Sequence, residues 1–183
     1  LARLNVAEQM GTPKADAELK KFKKLTRGDN AVISSFHYHY ARLIEILTAI
    51  ERVEATLDDA DLLSEDLRAD AGINSLRGVG VSEAPRGTLF HDYTVDRNGL
   101  LQKIKLIVAT GQNNLAMNQT VAQIARHYVR GHKITEPMLN RVEHGIRCYD
   151  PCLSCSTHAV GQMPLHLQLI GPDRAVLHEL VRG

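Results

Sequence analysis

Three cysteines and a histidine fall in one short stretch, Cys148-x3-Cys152-x2-Cys155-x2-His158, and these are the only three cysteines in the sequence. An odd count packed so tightly is a poor disulfide framework and reads better as metal or redox chemistry. The Cys152-x2-Cys155 pair places two thiols within reach of one ion, and soft sulfur selects zinc, iron or nickel. A structural zinc site made of Cys148, Cys152, Cys155 and His158 is one reading. It is cramped, because all four ligands would come from one loop, with Cys148 on the end of a helix.

The elements that must position this cluster follow from periodicity. Apolar residues from Ile33 and Phe36 through Tyr40, Ile44, Leu47 and Val53 to Leu57 step by threes and fours, which predicts an amphipathic helix over 31–57. Asp29 or Asn30 is its expected cap. His37 and His39 on that helix face different ways and are not expected to share a metal. The lysines at 20, 21, 23 and 24 read as a solvated helical face. Glycines at 72, 78, 80 and 87 suggest a loop over 71–87. The runs 88–95 and 100–108 around Asp96-Arg97-Asn98-Gly99 predict a hairpin, with Asn-Gly supplying positive φ angles.

A second helix carries Val121, Ile124, Ala125, Tyr128 and Val129, with Gly131 able to end it. A third, capped by Thr135 with Pro137 in its first turn, buries Met138, Leu139, Val142 and Ile146. It stops at Asp150-Pro151, since a residue before proline is pushed out of the helical region. Leu165–Val181 reads as a terminal β-hairpin around Gly171-Pro172-Asp173. The expected fold class is α+β, mainly α, with long packed helices and a peripheral hairpin.

Composition sets limits on partners. The 183 residues include 22 Lys plus Arg against 21 Asp plus Glu, so no whole-chain field grips nucleic acid or acidic lipid. No apolar run reaches the roughly 20 residues of a membrane helix, and no secretory leader opens the chain. A cytoplasmic location is expected.

The string Asp150-Pro151-Cys152-Leu153-Ser154-Cys155-Ser156-Thr157-His158 resembles the C-terminal signature of nickel–iron hydrogenase large subunits. Glu83-Ala84-Pro85-Arg86-Gly87 before a hairpin, and Val108-Ala109-Thr110 after it, resemble two further family elements in the same order. Three ordered motifs are a specific signal. Cys148-x3-Cys152-x2-Cys155 is also the spacing of the iron–sulfur loop of radical S-adenosylmethionine enzymes. Those enzymes need a barrel after it, for which the chain beyond Cys155 is too short.

The hydrogenase resemblance implies a nickel and an iron held by four thiolates. Cys152 matches a terminal nickel ligand and Cys155 a sulfur that bridges both metals. Metal binding deprotonates such thiols. A terminal thiolate then serves as a base in heterolytic cleavage of H2. The iron of this family carries carbon monoxide and cyanide. Arg86 and Thr110 match donors to cyanide, Pro85 a residue packed against these ligands, and Arg86 also a group beside the open metal position. His158 and the backbone carbonyl of Leu106 match contacts to magnesium or a similar ion. Ala109 stands where many relatives have proline. Cys148 is not required and is expected to be a bystander thiol.

Two of the four thiolates have no counterpart, since the family's first Cys-x2-Cys is missing. The sequence is therefore expected to be the C-terminal part of a longer subunit, inactive in isolation. The resemblance also implies a precursor. Residues 1–158 belong to the subunit proper, and a nickel-dependent maturation endopeptidase, acting after the nickel-insertion factors, removes 159–183 by cutting between His158 and Ala159.

His158-Ala159-Val160-Gly161-Gln162 and Ala109-Thr110-Gly111-Gln112-Asn113-Asn114 look most like the cytoplasmic bidirectional group. There the large subunit works with diaphorase subunits that reduce NAD and with a small iron–sulfur subunit. No Gly-x-Gly-x-x-Gly loop is present, so NAD, FMN and the iron–sulfur clusters are expected only on partner subunits. The alternatives are a methyl-viologen-reducing, heterodisulfide-reductase-linked subunit, or a non-catalytic zinc-binding or complex-I-like relative.

Overall fold

The computed structural model describes residues 1–26, 30–68, 72, 74–151 and 165–182. They form two compact units, Leu1–Ile107 and Val108–Gly183. The architecture is α+β, with helices and two small antiparallel sheets.

The first unit opens with helices α1 (Ala2–Val6), α2 (Pro13–Lys23) and α3 (His37–Leu57). Pro13 suits the first helical position because its missing N–H has no helical partner there. Lys20, Lys21 and Lys23 gather in the last turn of α2, where they complement the helix dipole. Its other face buries Ala15, Leu19 and Phe22 against Leu4, Val32, Ala41 and Ile44. Phe22 and Ile44 are almost wholly excluded from water, worth about 1.5–3 kcal/mol each.

Helix α3 begins at His37 and not at residue 31. The segment before it is docked on the core instead: Val32 is buried with Leu4, and Asn5 holds its backbone, Oδ1 accepting the Val32 N–H at 2.9 Å and Nδ2 donating to the Val32 carbonyl at 2.9 Å. Asn30 therefore does not cap α3, which has no side-chain cap, and Asp29 lies outside the described residues. Only part of the apolar pattern is spent on the core. Ala41, Ile44 and Thr48 are buried, whereas Leu43, Ile46, Ile50, Val53 and Leu57 lie exposed.

A short 3₁₀ turn (Ala60–Leu63) precedes a three-stranded sheet, β1 (Arg77–Ala84), β2 (Gly87–Val95) and β3 (Leu101–Ile107), in the order β1-β2-β3. The β2–β3 hairpin is as expected from sequence. Its turn differs, since only Gly99 has positive φ, at 79°. Gly99 N–H donates to the Asp96 carbonyl at 3.0 Å and Asp96 N–H to the Leu100 carbonyl at 2.9 Å. This is a type I turn closed by a glycine bulge. Strand β1 corrects the expected loop over 71–87. Gly78 and Gly80 mask its pattern, and a Cβ at either would meet nothing within 4 Å. The strand is held by its ladder to β2 and by Arg77, whose Nε and Nη2 reach the two Asp92 oxygens at 2.8 Å each.

The second unit starts with α4 (Ala109–Gln112), followed by α5 (Asn114–Tyr128) and α6 (Glu136–Arg147). Helices α5 and α6 pack closely where Gly145 lets Ile124 approach. Arg141 stacks on the Tyr128 ring at 4.1 Å, a cation–π contact. Tyr149 Oη lies 2.7 Å from Thr120 Oγ1 and donates to the Ala116 carbonyl at 3.1 Å. Thr135 takes the cap position of α6, but its side chain makes no capping bond. Leu139 and Val142 are buried, as expected, whereas Met138 and Ile146 are half-buried and the helix ends at Arg147, short of the expected stop at Asp150. Strands β4 (Leu165–Ile170) and β5 (Val176–Arg182) form the terminal hairpin, a sheet of its own.

Candidate metal centre

Pro85 and Arg86 are the two central residues of the turn that joins β1 to β2, with Ala84 paired to Gly87. Proline fixes a negative φ at the first position, and Arg86 is not among the residues with positive φ. A type I turn meets both conditions, and it favours glycine at its last position, which Gly87 fills. Pro85 is exposed and Arg86 half-buried.

The end of β1 is tied down by Arg3 of α1. Its Nε lies 3.0 Å from Glu45 Oε1, and its Nη2 donates to both Glu45 oxygens at 2.8 and 2.9 Å. Its Nη1 donates to the Ala84 carbonyl at 2.8 Å and also to Glu83. Glu83 in turn accepts from Thr88 Oγ1 at 3.0 Å across the ladder. Burial works against the Arg3 charge. The hydrogen bonds and charges of Glu45 and then Glu83 more than offset this, so its pKa is raised. The network borders a cavity of about 490 Å³ lined by Arg3, Met10, Glu45, Arg52, Glu83 and Pro85, among others.

Leu106 lies near the end of β3, paired with His91 of β2. Because β2 runs antiparallel to both neighbours, this end of β3 and the Pro85-Arg86 turn lie at the same end of the sheet. Thr110 is half-buried on α4 in the second unit, next to buried Ala109. Cys148 caps the carboxyl end of α6, is buried, and points its Sγ to the His144 carbonyl at 3.3 Å. Asp150, two residues before Cys152, adopts φ of 50°. Cys152, Cys155, His158 and Ala159 lie outside the described residues.

Sequence reasoning missed Arg3 and Glu45. They sit in a charged stretch and on an amphipathic helix, and nothing local announces a contact between residues 42 and 80 positions apart.

Comparison with known proteins decides the family. The family described as nickel-dependent hydrogenase matches residues 1–158. The chain belongs to it. Across all of its length it is 45% identical to the NAD-reducing hydrogenase HoxS subunit beta of Cupriavidus necator, of which it spans 38%. Over 92% of its length it is 41% identical to a chain of the F420-non-reducing hydrogenase vhc of Methanococcus voltae, of which it spans 36%. A crystal structure of an NAD+-reducing [NiFe]-hydrogenase in the H2-reduced state matches with a TM-score of 0.77 at 44% identity. That match covers 86% of this chain and 34% of the other. This hydrogenase chain thus spans little more than a third of the relatives it matches. No described helix is long and apolar enough to cross a membrane.

Proposed function

We propose that residues 1–158 form the C-terminal part of the catalytic large subunit of an NAD-linked nickel–iron hydrogenase, which cleaves H2 reversibly. The observation that carries this reading is the 45% identity to the NAD-reducing relative over the whole chain. Electrons pass to a small iron–sulfur subunit, together with diaphorase subunits, which hold the NAD, FMN and clusters.

The donor set fits the metals. Cys152 and Cys155 offer two soft thiolates, the ligand type that selects nickel and iron over magnesium. His158 and the Leu106 carbonyl offer a nitrogen and an oxygen donor for a harder divalent ion, and oxygen in particular suits magnesium. When bound, the nickel–iron centre, with carbon monoxide and cyanide on iron, supplies the two-electron chemistry of H2 cleavage. The chain's own residues do the rest. The Cys152 sulfur holds the released proton. The Arg86 guanidinium, with five N–H donors, and the Thr110 hydroxyl give hydrogen bonds to cyanide nitrogens, which are costly to bury without partners. Pro85 keeps water from those ligands.

The family match ends at residue 158, which supports reading 159–183 as a segment that a maturation endopeptidase removes after His158. Ala159→Pro in the full-length precursor is expected to block this cut. Unchanged processing and metal retention would count against it.

The deciding experiment uses the assembled enzyme. Cys152→Ser and Cys155→Ser are expected to abolish H2-dependent NAD reduction and to lower nickel content, with iron also lost in Cys155→Ser. Wild-type activity in either variant sinks the reading. The 183-residue chain alone supplies two of four thiolates and is expected to show no H2 uptake. The second reading, a viologen-reducing hydrogenase, is favoured by the 41% identity to the F420-non-reducing relative. It gains if the assembled enzyme reduces viologen and not NAD.

A further inference from the structure

We propose that Arg3 is a positioning residue for Arg86, setting the direction in which the hairpin turn presents that side chain. The proposal rests on the reading above, in which Arg86 faces the metal centre.

The geometry gives Arg3 a grip on the backbone as well as on side chains. Ala84 is the last residue before the turn, and its carbonyl accepts from Arg3 Nη1 at 2.8 Å. The peptide unit is planar, so fixing that oxygen fixes the plane of the Ala84–Pro85 bond. The proline ring then locks the next torsion. Few soft torsions remain between the held carbonyl and the Arg86 side chain. From the other side, the paired Gly87 and the Thr88–Glu83 bond close the turn.

The remainder of the guanidinium is anchored to α3. Glu45 takes Nε and Nη2 together, the fork geometry in which arginine and carboxylate match best. The Glu45 carboxylate is about three-quarters buried, and Arg3 about two-thirds. An exposed ion pair would count for little in stability. What matters here is that one planar group binds a helix and a turn carbonyl at once. Lysine keeps the charge but cannot serve Glu45 through two nitrogens while reaching Ala84.

The test uses the assembled, metal-loaded hydrogenase with Arg3→Lys, Glu45→Gln and, as a reference, Arg86→Lys. Arg3→Lys is expected to keep its nickel and iron. It shifts the cyanide infrared bands and lowers kcat about tenfold with KM for H2 unchanged, the signature of a misaimed group. Glu45→Gln, which retains an acceptor for Arg3, shifts the same bands less and carries the test if Arg3→Lys does not assemble. Bands and kcat at wild-type values in these two variants, with Arg86→Lys impaired, overturn the positioning role alone. Wild-type bands and kcat in Arg86→Lys overturn the role of Arg86, and the proposal falls with it.

Discussion

Glu51 of α3 closes the amino end of α2, its Oε1 accepting the backbone N–H of Lys14 at 3.0 Å while Oε2 takes that of Ala15 at the same distance. A helix start leaves such N–H groups without partners, and here a carboxylate from another helix supplies them. Burial pushes this carboxyl up. The two N–H groups and the Lys14 charge more than reverse that, so its pKa falls below the ordinary 4.5. A lowered carboxylate pKa means stability that is present above 4.5 and lost as the pH falls through the folded value. Glu18, held first by Lys21 and then by Tyr40, shifts the same way. Glu51→Ala is expected to lower the melting temperature by a few degrees at pH 7 and to flatten its decline below pH 5. A melt series across pH on the wild type and the variant checks both.

Gly145 of α6 lies against α5 with no room for a side chain. A Cβ there would sit 2.3 Å from Ile124 Cδ1 and 3.3 Å from Thr120 Cγ2. The first of these is the end of a flexible side chain, so Gly145→Ala sets a rotamer change at Ile124 against the better helix propensity of alanine. Gly145→Val has no such escape and is expected to destabilise by about 1–3 kcal/mol, the usual cost of overpacking. Ile124→Ala should recover part of the loss in the double variant. Denaturant midpoints for the four proteins measure the coupling.

The two long hairpin loops have the same hydrogen bonds but different residues at the left-handed position. In one, Gly99 has φ of 79°; in the other, Arg174 has φ of 65°. Arg174 N–H donates to the Gly171 carbonyl at 3.0 Å and Gly171 N–H to the Ala175 carbonyl at 2.8 Å, repeating the Asp96–Leu100 pattern. Only glycine takes that conformation without a steric cost, about 1 kcal/mol here. Arg174→Gly in the uncut chain is thus expected to slow amide exchange in β4 and β5 about fivefold. Gly99→Arg should speed exchange in β2 and β3. Equal exchange in all variants would show that the loops are unstrained.

Much of this was legible in the sequence, for reasons that differ by element. The β2–β3 hairpin and α6 announce themselves because alternation and three-four spacing act over short windows. Strand β1 does not, because Gly78 and Gly80 remove the side chains that alternation needs, and a distant pair, Arg77 with Asp92, helps to hold it. The late start of α3 is equally hidden, because the docking of Val32 on Asn5 and Leu4 is a contact that only the fold creates. At the proposed site, the family resemblance pointed to Pro85, Arg86 and Thr110, whereas the contacts of Arg3 and Glu45 exist only in the fold.

Asp150 stands three residues past the end of α6 and two positions ahead of Cys152 in the sequence. Its N–H donates to the Arg147 carbonyl at 3.0 Å, and its φ of 50° turns the backbone just before Pro151. Aspartate tolerates this region better than most residues, glycine better still, and a β-branched side chain hardly at all. Asp150→Gly is accordingly expected to leave folding and metal content of the assembled enzyme near wild type. Asp150→Val should cost about 1–2 kcal/mol, or force the backbone out of the left-handed region and redirect the chain two residues before Cys152. Lower nickel retention in Asp150→Val with wild-type retention in Asp150→Gly would tie the loss to backbone direction. Equal retention in both would mean that the cysteine loop finds its place independently of the α6 exit.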